Sequence, residues 1–255
     1  MKIATWNVNS LRVRLPHVLQ WLAAVQPDVL AIQETKTVDA QFPLVELQAA
    51  GYHTVFAGQK TYNGVAILSK SPATDVMTDI PDLDDPQRRI LAATLDGVRV
   101  VNLYVVNGSE VGSDKYAYKL DWLAQVTAWL QQQAALYPKL VVLGDFNIAP
   151  EDRDVHDPIA WGDGILCSPP ERAALQAIQA VGLSDTFRQF AQPEKSFSWW
   201  DYRAAGFRRN HGLRIDLILA SKPLADACQS CVIDREPRTW EKPSDHTPVI
   251  AEFAG

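Results

Sequence analysis

Short apolar runs rich in β-branched residues return along the whole chain, separated by stretches with helical periodicity, and this alternation limits the fold more than any other feature. The runs are Ile3 to Trp6, Val29 to Ile32, Val65 to Leu68, Val98 to Val106, Leu140 to Leu143, Ile215 to Leu219 and Val249 to Phe253. Between them, Val18, Leu19, Leu22 and Val25 share one helical face, as do Trp122, Val126, Trp129 and Leu130, and then Leu175, Ile178 and Val181. Pro27-Asp28 and Tyr137-Pro138 stop the first two helical stretches and Gly182 caps the third. Strands alternating with helices imply a layered α/β architecture with sheets in the middle and helices outside. No repeat, low-complexity tract or Gly/Ser linker breaks the pattern, so residues 1–255 read as one domain.

With 47% apolar and 21% charged residues the chain can bury a substantial core, which excludes a disordered chain. No apolar run approaches the roughly 18 residues of a membrane span, and the N-terminus has no long apolar leader. A cytoplasmic protein without membrane attachment is expected. Three cysteines cannot build a disulfide framework. Cys228-Gln-Ser-Cys231 has CxxC spacing, but a structural zinc site needs a second ligand pair that Cys167 and five scattered histidines supply poorly, so two ordinary half-buried thiols are expected. The formal charge of −6 argues against general affinity for nucleic acid, so any such function needs a local basic patch.

What terminates the apolar runs is consistently polar. Asn7 and Asn9 follow the first, Glu34 the second, Tyr104 and Asn107 end the fourth, and Gly144-Asp145-Phe146-Asn147 follows the fifth. Ser244-Asp245-His246 precedes the last, and Asp216 lies inside Leu213-Arg-Ile-Asp-Leu-Ile-Leu219. A single acid at a strand end is ordinarily a solvated loop entry. Asp216 is different, because its apolar neighbours imply burial and a buried carboxylate needs a partner. If Glu34, Asp145, Asp216 and Asp245 converge, like charges about 5 Å apart at an effective dielectric near 20 repel by roughly 3 kcal/mol per pair. A divalent cation resolves that conflict. Carboxylate and amide oxygens suit Mg²⁺ or Mn²⁺, which keep open positions for a substrate phosphate. With His246 beside Asp245 and Asp216 available to orient it, the set is equipped for metal-assisted phosphodiester hydrolysis.

These motifs resemble bacterial exonuclease III and the related apurinic/apyrimidinic (AP) endonucleases, within the superfamily that includes deoxyribonuclease I. The matching blocks are Trp6-Asn-Val-Asn-Ser10, Gln33-Glu-Thr-Lys36, Gly64-Val-Ala-Ile67, Gln87-Arg-Arg-Ile90, Gly144-Asp-Phe-Asn-Ile148, Phe197-Ser-Trp-Trp-Asp-Tyr-Arg203, Leu213-Arg-Ile-Asp-Leu217 and Pro243-Ser-Asp-His-Thr-Pro248. Together they cover the whole chain. The resemblance implies a four-layered α/β sandwich, two central β-sheets flanked by helices, with the site at the sheet ends. It implies Glu34 as main metal ligand with Asn7 and Asp245 nearby, and Mg²⁺ as the ion, with Mn²⁺ as substitute. Asp145 would activate the attacking water and Asn147 help position it, while Tyr104, Asn107 and His246 hold the phosphate and Asp216 supports the histidine. The family commonly carries a proline where this chain has Val106, which leaves the backbone of Tyr104-Val-Val-Asn107 freer.

For DNA, Arg203, Arg208, Arg209 and Arg214 fall between Tyr202 and Ile215 with no acid among them, interleaved with aromatics. Asn9, Arg203 and Arg208 are therefore expected to bind substrate, and Arg88, Arg89, Lys115 and Lys119 are further candidates for phosphate contact. Residues matching an apolar pocket for a base-free sugar are Trp199, Leu213 and Ile215, which are otherwise core. Residues 156–170 form a loop whose shape decides between internal nicking and end trimming. The leading expectation is a Mg²⁺-dependent DNA repair phosphodiesterase, a monomer acting on double-stranded DNA in the bacterial cytoplasm and nucleoid, that cuts 5′ to abasic sites and clears 3′ ends. The alternatives are a specialised 3′-to-5′ exonuclease and, more remotely, a non-catalytic nucleic-acid-binding regulator, disfavoured because all four carboxylates remain.

Overall fold

The computed structural model describes residues 1–81 and 83–255. Strands β1 (Lys2–Asn7), β2 (Val29–Gln33), β3 (His53–Ala57) and β4 (Val65–Ser69) begin one sheet, and β5 (Thr74–Met77), β6 (Ile90–Leu95), β7 (Val98–Tyr104), β8 (Leu140–Asp145) and β9 (Leu183–Asp185) belong to a second. A short pair, β10 (Trp199–Trp200) with β11 (Gly212–Leu213), stands apart. The chain then returns to the second sheet with β12 (Asp216–Ser221) and to the first with β13 (Cys228–Ile233) and β14 (Val249–Phe253). The two six-stranded sheets run β13-β14-β1-β2-β4-β3 and β5-β6-β7-β8-β12-β9.

Helices cover both outer faces. Trp6, Leu30 and Ile32 of the first sheet pack against Val18, Trp21 and Leu22 of α1 (Leu11–Val25) and against Leu47 of α2 (Leu44–Ala49). On the other side Val101, Leu103, Leu140 and Val142 meet Trp122, Val126 and Trp129 of α3 (Asp114–Leu136) and, beyond the small helix α4 (Pro158–Trp161), Leu175 and Ile178 of α5 (Pro169–Gln179). A third core, with Ile3, Val29, Ala31, Val100, Val141, Leu143 and Ile218, fills the space between the sheets. The molecule is thus the expected four-layered sandwich.

Period-two alternation explains where the site falls. Along β1, Ile3 points into the inter-sheet core, so Thr5 and Asn7 point the same way; Val141 and Leu143 likewise carry Asp145, Val100 carries Asn102 and Tyr104, and Ile218 carries Asp216. At one end the inter-sheet layer therefore turns from apolar to polar. Gln33 donates to Thr5 and Asn102, and Asn102 donates to the carbonyls of Ile32 and Ala66. The Asn102 amide and the Gln33 Nε2 are thereby satisfied beneath the site, while Gln33 Oε1 is buried without a partner.

The strands that alternation alone did not pick out are the half-exposed edges β3, β5 and β13, the alanine-rich β6, the short β9 and the two-residue β10 and β11. Cys228 and Cys231 both lie on β13; Cys228 is half-buried as expected, whereas Cys231 is fully buried and accepts a hydrogen bond from Thr186. Among the described residues no helix is long and apolar enough to cross a membrane.

Candidate active site

Strand register assembles the catalytic candidates. Tyr104 on β7 and Asp216 on β12 both sit opposite Asp145 on β8, so three polar side chains form one row across neighbouring strands. Gly144 has φ +142°, and a Cβ there would lie 1.9 Å from the carbonyl oxygen of Leu103, so only glycine lets the chain turn into Asp145 at this spacing. From the facing sheet, Asn7 bridges the two halves: its Nδ2 donates to Glu34 at 2.8 Å and to Asp145 at 2.9 Å. Asn9, Ser10, Glu34, Lys36 and Asn147 all have positive φ, a concentration of strained backbone around one small volume.

His246 is buried with Nδ1 donating to Asp216 at 2.9 Å and Nε2 3.6 Å from Asp145. Ser198 fixes the support, its Oγ accepting from the backbone N–H groups of Ile215 and Asp216, while Ser244 Oγ donates to the carbonyl of Asn7. Burial would lower the histidine's pKa, but the carboxylates of Asp216 and Asp145 outweigh it and raise it to about 10. Burial, together with the charges of Asp216 and Glu34, pushes Asp145 up to about 7 against the opposing pull of His246 and Asn7. Burial and the charges of Glu34 and Asp145 raise Tyr104 well above its ordinary value, so it remains a proton donor.

Glu34, Asp145 and His246 place side-chain donor atoms within 4.8 Å of one another, a cluster that could hold a metal ion through its carboxylates. Two carboxylates that repel each other in a buried setting are a donor set for a hard divalent cation. Asn7 adjoins both carboxylates. Asp245 is set aside from this cluster: it accepts from Asn9 at 3.0 Å and from Trp199 at 3.0 Å, and although burial opposes it, the charge of His246 and these bonds hold its carboxyl below the usual range.

Asn147 is anchored by its backbone N–H to Asp145 at 2.9 Å and by Nδ2 to the carbonyl of Val105, and Asn107 Nδ2 donates to Asn147 Oδ1 at 3.2 Å. The segment leading into Val106 is tied on both sides. Tyr104 N–H bonds to Arg89, Val105 N–H bonds to Asp145, and Val106 is buried in the helix-side core.

Several DNA candidates are relocated. Lys119 is fully buried and pairs with Glu171, so it cannot touch phosphate. Arg214 is likewise buried, gripped by Asp154 at 2.6 Å and Asp185 at 2.7 Å, acids that are distant in sequence and therefore invisible in the local charge pattern. Trp200 is buried and Phe207 packs edge-on against it beneath Arg235 and Arg238, which makes much of the aromatic interleaving structural. Arg203 and Arg208 remain exposed around the short α6 (Gly206–Arg209), with Arg203 beside Asp201. Arg88 pairs with Asp79, and Arg89 lies over the Tyr104 ring, 4.8 Å from its centroid. Arg89 and Lys115 line an open groove of about 720 Å³ with Glu34, Tyr104, Asn107 and Lys36.

Trp199, Leu213 and Ile215 do meet, in one cluster with Val155 and Leu166; Leu213 and Ile215 are buried and Trp199 is half-buried. The site also includes Lys36, whose ammonium reaches Glu34 at 3.0 Å and Asn9, and Arg14, which binds the carbonyls of Asn9 and Pro243. Lys36 was within reach of sequence reasoning, being two residues from Glu34 in the same motif.

A buried carboxylate–histidine–carboxylate row beside a second acid, at the open end of a two-sheet sandwich, defines a phosphoester-cleaving hydrolase, and the chain belongs to the endonuclease/exonuclease/phosphatase family, whose model matches residues 4–246. Within it the chain is a hydrolytic DNA repair nuclease of the exonuclease III and AP endonuclease type. It is 38% identical to exodeoxyribonuclease III of Haemophilus influenzae over 99% of this chain and all of that one. It is also 50% identical, with a TM-score of 0.98 and full coverage of both chains, to a 3′ phosphatase from Neisseria bound to a product DNA hairpin. An AP endonuclease from Archaeoglobus fulgidus superposes with a TM-score of 0.96 at 40% identity, again over both whole chains.

Proposed function

We propose that this protein is a Mg²⁺-dependent phosphodiesterase, with Mn²⁺ as a substitute, that removes nucleotides or blocking phosphoryl groups from the 3′ ends of duplex DNA. The observation that carries this reading is Asp145 held between Asn7, the Asn147 backbone and His246, with Glu34 across a gap of metal-site size. Asp145, buried beside His246 and raised above the usual carboxylate range by burial, takes the proton of the attacking water. His246, kept cationic by Asp216, together with the Tyr104 hydroxyl and the Asn107 amide, supports the charge that grows on the phosphate oxygens. Glu34, with the Asn7 amide beside it, would hold the ion, which supplies Lewis-acid stabilisation of that same charge. Arg203 and Arg208 would grip the phosphate backbone on one side, and the groove containing Lys36, Arg89 and Lys115 on the other. A relative's action on a DNA 3′ end supports the choice of substrate.

Incision 5′ to an abasic site is the second reading. It is favoured by the grouping of Trp199, Leu213 and Ile215 directly beside Asp245, and by the AP endonuclease relative. We place it second because Leu213 and Ile215 are packed with Leu166, leaving mainly Trp199 to meet a sugar. One duplex carrying an internal abasic analogue, a recessed 3′ end and, in a parallel sample, a 3′-phosphate separates the readings. Trimming and dephosphorylation that EDTA abolishes, with little internal nicking, are expected. Nicking as fast as trimming would reverse the order, and no metal-dependent cleavage would overturn both.

A further inference from the structure

Lys119 is a fully buried charge immediately behind the site with no part in the chemistry of the reacting atoms. It lies on the apolar stripe of α3, with Tyr116, Leu123 and Val126 also buried along that helix. Its ammonium donates to three acceptors, the Asn107 carbonyl at 3.1 Å, the Asn147 carbonyl at 2.7 Å and the carboxylate of Glu171. Glu171 is saturated in turn, accepting from the backbone N–H groups of Leu166 and Ser168 and from the Ser168 hydroxyl. The chain between Asn107 and α3 is shaped around the lysine stem: Gly108 has φ +90°, and a Cβ there would lie 3.0 Å from Lys119 Cδ.

An ion pair removed entirely from water is a poor source of stability, since a well-packed apolar pair of similar volume commonly does as well or better. Stability therefore does not account for this lysine. Two of its three protons go to the backbone carbonyls of the two asparagines that face the reaction centre. From there the bonding runs outward, Asn107 Nδ2 to Asn147 Oδ1 and the Asn147 N–H to Asp145 Oδ1. We propose that Lys119 is a positioning residue, pinning the Asn107 and Asn147 backbones from beneath so that their amides keep fixed directions toward phosphate and Asp145, while Glu171 only neutralises it. The proposal rests on the reading of these asparagines as site residues.

The test compares kcat, KM and melting temperature in Lys119→Met, Glu171→Gln and the double variant Lys119→Met/Glu171→Leu, on a 3′-recessed duplex with saturating Mg²⁺. Lys119→Met should lower kcat at least about tenfold with KM within about threefold, because geometry is lost and binding is not. Glu171→Gln should lower the melting temperature yet keep kcat within about threefold. The double variant should recover the melting temperature without recovering kcat, and it carries the comparison if Lys119→Met alone does not fold. A double variant with wild-type kcat overturns the proposal, as does a parallel loss of kcat in both single variants. Asn147→Ala separates the role of the asparagines from that of the lysine. If it keeps full activity, the reading of the asparagines fails and the proposal with it; if it is impaired while Lys119→Met is not, Lys119 alone is dismissed.

Discussion

Replacing Asp216 with asparagine tests the electrostatics of the site most directly. The amide occupies the same volume, and the Ser198 hydroxyl that holds the backbone at Asp216 is untouched, so the fold should persist. What disappears is a negative charge with oxygens 2.9 and 3.1 Å from His246 Nδ1. Unit charges about 4 Å apart at an effective dielectric near 20 interact by about 4 kcal/mol, about a thousandfold in proton affinity. His246, raised to about 10 in the native site, should therefore titrate near neutrality in the variant. The sign for stability follows from linkage. A histidine whose pKa is raised on folding contributes stability that is complete below its unfolded value near 6.5 and is lost as pH climbs toward 10. In EDTA, urea melts should show Asp216→Asn less stable by about 4 kcal/mol at pH 6, with the gap closing toward pH 10. The kcat of the variant with saturating Mg²⁺ should fall above about pH 7, where the native enzyme still holds an imidazolium. Nitrogen NMR of the ring reads the same proton directly. A stability gap of equal size at both pH values, or a ring in the variant that titrates where the native one does, would refute the reasoning.

Other perturbations reach separate parts of the machinery. Asp145→Asn should cost about 10² to 10⁴ in kcat while DNA affinity, measured by anisotropy, stays within a few-fold, since an amide cannot take the proton of water. Glu34→Gln should raise the Mg²⁺ concentration for half-maximal activity at least about tenfold, read from a metal titration. Arg208→Ala should weaken DNA binding similarly for all sequences and reduce the slope of log affinity against log salt by about 1; an unchanged slope places it off the DNA path. Arg214→Met leaves Asp154 and Asp185 buried with only Arg188 to answer them, and should cost about 3–5 kcal/mol, lowering the melting temperature by on the order of 10 °C in calorimetry.

The asymmetry between Asp216 and Arg214 shows how far a linear reading reaches. Both are polar residues next to apolar ones, two positions apart. Burial of Asp216 followed from its place within an apolar run. Arg214 looked like part of an exposed basic stretch because its acids, Asp154 and Asp185, lie 60 and 29 residues away. Lys119 is the same case in a helix. Its position on an apolar stripe was legible, but a long cation on such a face ordinarily extends to solvent, and only Glu171, 52 residues on, gives it a reason to stay.

The order of strands and helices, the layered architecture and the acidic and amide residues at the strand ends belong to the amino-acid sequence itself. Alternation with period two is a local property, and it already commits Asn7, Asp145 and Asp216 to the same faces as Ile3, Leu143 and Ile218. Only the tertiary structure decided which acids meet. Parallel and antiparallel registers set Tyr104 and Asp216 opposite Asp145, facing sheets brought Asn7 between Glu34 and Asp145, and Trp199 and Asn9 drew Asp245 aside. Such pairings depend on distances between segments far apart in the chain, which no local pattern encodes.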